Sequence, residues 1–129
     1  MFYEELYAEL GKLFYQVAAA DGKVAAAERK ALDDLVRQTW EPLESSKDEF
    51  GSDQADLIIA AFDFEEAEGG EESPLSSFED FYSENKTKFT PVIRKNILQT
   101  GQAIADSYRS KNKNEQKLLD HLRKIMTVG

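Results

Sequence analysis

The chain has 129 residues, no cysteine and a formal charge of −9. Without cysteine, disulfides and thiolate metal or redox sites are excluded, and the negative sign disfavours nucleic acid as a partner. No apolar run approaches the roughly 20 residues that a bilayer span needs. The start, MFYEELYAEL, carries early acids where a leader would carry bases. The expectation is a soluble, cytoplasmic protein with no transmembrane segment, for which peripheral membrane association stays open.

The charges are unevenly placed. Residues 41–84 hold 15 acids and 1 base, whereas residues 85–129 hold 10 bases and 3 acids. Such blocks partly neutralise each other when they fold side by side. Left apart, the acidic one would attract cations or basic protein partners.

Residues 2–20 read as an amphipathic helix. Phe2, Leu6, Leu10, Leu13, Val17 and Ala20 recur at steps of three and four, and Tyr3, Tyr7, Phe14 and Ala18 widen the stripe. Asp21-Gly22 closes it, glycine suiting the left-handed residue past a helix end. A second helix is expected over about 25–39, with Ala31, Leu32, Leu35 and Val36 inward and Asp33 paired with Arg37 outside. Trp40-Glu41-Pro42 should stop it, because the residue before proline is pushed out of helical geometry. Ser52 or Asp53 can cap a further helix carrying Leu57, Ile58, Ala61 and Phe62 inward and Phe64 near its edge. The run Asp63, Glu65, Glu66, Glu68, Glu71, Glu72 reads as a solvated helix end and loop more readily than as a cation trap.

After the loop GGEESPLSS, either Ser73-Pro74 or a capping box of Ser76 with Glu79 opens a helix that buries Phe78, Phe81 and Tyr82. Thr90-Pro91 opens the next, to about Tyr108, with Ile93, Ile97, Gly101 and Ile104 on one stripe. A basic turn, Arg109 to Lys113, leads to a last helix burying Leu118, Leu119, Leu122 and Ile125. His121, the single histidine, reads as a surface position. No segment alternates with period two for long enough to make a strand. The fold expected is all-α, with six or seven helices.

An offset of 87 residues aligns Leu10 with Ile97, Val17 with Ile104, Ala18 with Ala105, Glu28 with Glu115, Leu32 with Leu119 and Leu35 with Leu122. This suggests two pseudo-twofold-related helical hairpins with extra helices between them. One domain over 1–129 is expected: repeat one at about 2–40, the acidic middle at 41–84 and repeat two at about 90–127.

The segment Ala18–Glu28, AAADGKVAAAE, carries the sharpest local signal. Its spacing matches the second half of an EF-hand loop, with Asp21, Gly22, Val24 and Glu28 at the fifth, sixth, eighth and twelfth positions. Val17 and Ala19 occupy the first and third positions and cannot ligate calcium. Two readings therefore stand. In one, Gly22 ends a helix and Glu28, in the first turn of the next, reaches back to the Ala25 amide. Asn112 with Glu115 would do the same in the second copy. In the other, Asp21 and Glu28 contribute to a cation site. Asp21 keeps the second reading open, since an anion at a helix C-terminus calls for a compensating charge: Lys23, the N-terminus of the following helix or a bound cation.

The stretch LFYQVAAADGKVAAAERKALDDLV resembles the signature of TerB-like proteins, the tellurite-resistance and stress-response family, specifically over about residues 10–36. That resemblance implies an all-helical fold with pseudo-twofold repeats and acidic clusters for a divalent metal (calcium, magnesium or manganese). It also implies a part in tellurite, phage or stress responses. The family's acids correspond to Asp21 and Glu28, with Glu115 and then Asp106 as second-copy counterparts; the second copy lacks the Asp-Gly pair. There is no P-loop, dinucleotide fingerprint or nucleophile elbow. The function expected is that of a non-enzymatic helical module with a protein partner, binding a divalent cation through these acids. The alternative is a metal-free interaction or scaffold domain.

Overall fold

A computed structural model describes residues 2–20, 23–43, 54–69, 73–107 and 113–127. Among these the fold is all-α. Six α-helices follow in order: α1 (Phe2–Ala18), α2 (Ala26–Leu35), α3 (Leu57–Glu68), α4 (Pro74–Glu84), α5 (Pro91–Asp106) and α6 (Lys113–Thr127). No helix among the described residues is long and apolar enough to cross a membrane.

α1 is the axis of the bundle and packs against every other helix, most extensively α3. Its two-sided apolar stripe explains this: Leu6, Tyr7, Leu10, Leu13, Phe14, Val17 and Ala18 are all fully buried. Gly11 lets the α3 backbone come close. A Cβ there would meet Ile58 O, lie 2.5 Å from Ala61 Cβ and lie 2.9 Å from Phe62 N. One turn on, the Tyr15 and Phe62 rings meet edge to face at 5.7 Å. Positions rise together along both helices, so α1 and α3 run parallel and end at the same end of the bundle.

Two proline-led starts behave as their chemistry dictates. The Ser73 hydroxyl accepts from the Ser76 amide at 3.4 Å, so α4 uses this cap and not the Ser76–Glu79 box. Thr90 accepts from the Ile93 amide at 3.2 Å and opens α5. Phe78, Phe81 and Tyr82 are buried as expected, and Phe89 joins them, its ring 4.8 Å from that of Tyr82.

Four expectations are corrected. Trp40 does not merely stop the second helix. α2 widens into a π-type turn over Val36–Trp40, with the Glu41 amide bonded back to Val36 O, and a 3-10 turn follows at Glu41–Leu43. The wider turn aims the indole inward, where Nε1–H donates to Thr100 Oγ1 at 3.0 Å and the ring meets Tyr7 at 6.4 Å. Second, Asp33 pairs with Arg29, one turn earlier, and not with Arg37. Arg29 also grips Asp63 of α3 through Nε and Nη2, at 2.8 and 2.9 Å, and lies over the Phe62 ring. Hydrogen bonding to Asp63 raises the Arg29 pKa further above its ordinary value, although burial opposes it. Third, Leu57 faces outward and is exposed. Fourth, Phe64 lies not at an edge but well out in solvent, 64% exposed. Ser52, Asp53, Asp21, Gly22, Tyr108 and most of the basic turn lie outside the described residues.

Candidate cation site at the turn between the first two helices

The site is built from the end of α1 and the head of α2. Val24 packs against the core and Ala25 is extended (φ −84°, ψ 151°), so the chain enters α2 from a fixed direction. Alanine has no side-chain acceptor for the first free amides of the helix. Glu28 satisfies a different donor, the amide of the capping residue itself. Its Oε1 accepts from the Ala25 amide at 2.7 Å, the returning half of a capping box. The capping reading is thus realised at Glu28.

Capping does not explain everything about this side chain. Glu28 is fully buried, and its Oε2 has no hydrogen-bond partner among the described residues. Burial of a carboxylate oxygen without a partner costs free energy that an exposed cap would avoid. The positive end of α2 offsets part of that cost.

Glu115, in the first turn of α6, is also buried, at 1% exposure. Asn114 beside it donates to Ala20 O at 3.5 Å, so the head of α6 lies against the end of α1. Asp106, the last residue of α5, is exposed and accepts from Gln102 Nε2 at 2.9 Å. Asp21 lies outside the described residues, as does Asn112. Among the described residues no three Asp, Glu, His or Cys side chains lie close enough together to hold a metal ion. Calcium takes about six to eight oxygens, and Glu28 offers one uncommitted oxygen. A divalent ion there would depend on Asp21 as well.

His121 is exposed on α6 as expected, and it lines a groove of about 620 Å3 against α4 with Lys86, Lys117 and Lys124. Neither Glu28 nor Glu115 lines this groove. Sequence reasoning missed Glu65. Read as part of a solvated acidic run, it is in fact 8% exposed. Helical phase could have found it, because Ile58, Phe62 and Glu65 lie on one face at steps of four and three.

A family model described as Tellurite resistance protein TerB matches residues 8–129. The match spans nearly the whole chain, including the middle that the local signature leaves unaccounted for, and the chain belongs to the TerB family. No curated protein and no solved structure matches it significantly.

Proposed function

We propose that this chain is a non-enzymatic accessory or scaffold module in a tellurite or related stress response, and that it binds a divalent cation at the turn between α1 and α2. The observation that supports the cation is the buried, unpartnered Oε2 of Glu28 in the family's signature segment. Asp21 would complete the site from the turn, and Glu115 from the neighbouring helix head. A cation there would compensate the buried carboxylate and the negative end of α1 together. Its role is to hold two helix ends and present a defined surface to a protein partner.

Thermal melts test this. In EDTA, Glu28→Gln should melt at or above wild type, because glutamine keeps an acceptor for Ala25 and removes a buried charge. Calcium, magnesium or manganese should raise the melting temperature of wild type and leave Glu28→Gln and Asp21→Asn unchanged. A wild type indifferent to all three ions would end the cation reading.

A second reading, a metal-free interaction module, is favoured by Phe64. This ring is 64% exposed on α3 among Asp63, Glu66 and Glu68, an aromatic anchor with an acidic rim. It predicts a salt-sensitive complex with a basic protein that is lost in Phe64→Ser at unchanged stability. A monomer that captures nothing from its own cell extract would count against it.

A further inference from the structure

α1 and α3 end side by side, and between their ends lies a cavity of about 340 Å3. Its walls include Tyr15, Pro74 and Leu118, and Glu65 lines it from α3. Glu65 is more than nine-tenths buried as a residue, and no hydrogen bond or ion pair to its carboxylate exists among the described residues, so its oxygens open onto the cavity and not onto a protein partner.

The surroundings are negative. Neither α1 nor α3 has a basic residue in its last turn, so both bring the uncompensated negative end of a helix dipole. None of the described lining residues is basic. The heads of α4 and α6 border the cavity from the other side, but their positive ends are already met. The Leu75 amide donates to Gln16 Oε1 at 2.7 Å, and Glu115 sits in the first turn of α6. Arg29, which joins α2 to α3, is held by Asp33 and Asp63.

We propose that this cavity binds a primary alkylammonium group, with the charge on the Glu65 carboxylate and the methylene stem along Tyr15, Pro74 and Leu118. A divalent ion fits poorly, because the described lining holds one carboxylate and three largely apolar walls. An ammonium group carries three donors on a stem that favours apolar contact. The same chemistry has two sources: the lysine side chain of a partner protein, or a free aliphatic amine. The proposal is independent of the cation at Glu28.

Amide-resolved NMR titration of the full chain tests it with three probes: 1,5-diaminopentane, N-acetyl-lysine methylamide and uncharged pentanol. Saturable shifts confined to Tyr15, Ala19, Ala20, Glu65 and Leu118 are expected with an amine and not with pentanol. Response to the blocked lysine identifies a protein side chain as the source; response to the diamine alone identifies a free amine. Glu65→Gln should weaken binding by about tenfold or more, the loss of one charge-assisted hydrogen bond. Ala19→Leu should abolish binding by filling the cavity, while Glu28→Gln should leave it intact. No saturable shift with either amine, an equal response to pentanol, or undiminished binding by Glu65→Gln would each overturn the proposal. Divalent-ion melts read out Glu28 and amine titrations read out Glu65, so the two ideas fail separately.

Discussion

Gly11→Ala should destabilise the protein by about 1–2 kcal/mol, although alanine is the better helix former. Intrinsic propensity alone would make the change favourable by about 1 kcal/mol in a helix interior. Packing opposes it. The added Cβ would collide with Ile58 O and sit 2.5 Å from Ala61 Cβ and 2.9 Å from Phe62 N. Two of those three neighbours are backbone atoms, which cannot rotate away, so α1 and α3 must separate. Overpacking of this kind costs about 1–3 kcal/mol and occasionally more, and here it must first cancel the propensity gain. Urea denaturation should show a lower midpoint at unchanged slope. Gly101→Ala is the internal comparison. Its Cβ would meet only Leu119 Cδ2, at 2.8 Å, the movable end of a side chain, so it should cost less. If Gly11→Ala were stabilising, the close parallel approach of α1 to α3 would be wrong.

Trp40→Ala should cost about 3–5 kcal/mol, the range for deleting a large buried aromatic side chain. The indole is fully buried between α1 and α5, against Tyr7 on one side and bonded to Thr100 on the other. Trp40→Phe isolates the polar part of that loss: it keeps much of the ring volume and strands the buried Thr100 hydroxyl, at about 1–3 kcal/mol. Adding Thr100→Val should recover some of this, giving a coupling between two positions 60 residues apart in sequence. Circular dichroism is the proper probe, because Trp40 is the only tryptophan. Additive losses in the double variant would show that the Trp40–Thr100 hydrogen bond does not stabilise the fold.

The local chemistry of the helices was legible because it acts over three or four residues. Thr90-Pro91 opens α5 through a cap and a pre-set φ, and both belong to adjacent residues. The Glu28 cap on Ala25 was legible for the same reason, as a bond between positions three apart. The 87-residue offset that pairs Glu28 with Glu115 also aligns two carboxylates that are both buried in the first turn of their helices. By contrast, Arg29 could have served Asp33 on its own helix or an acid elsewhere. It takes Asp63 of α3 as well, and nothing in the local pattern distinguishes that acid from its neighbours.

The sequence by itself determined the α class, most helix starts, the inward stripe of α1 and the family signature at Ala18–Glu28. Each of these rests on periodicity, caps or spacing within a few residues. Tertiary structure alone decided that Gly11 is a contact surface, that Trp40 continues inward through a widened turn and that Leu57 and Phe64 face solvent. It also buried Glu65 where its acidic neighbours remain exposed. The physical reason is common to all four. Burial depends on which helix lies opposite and in what register, and a pattern of apolar residues along one helix specifies a face but not the partner that covers it.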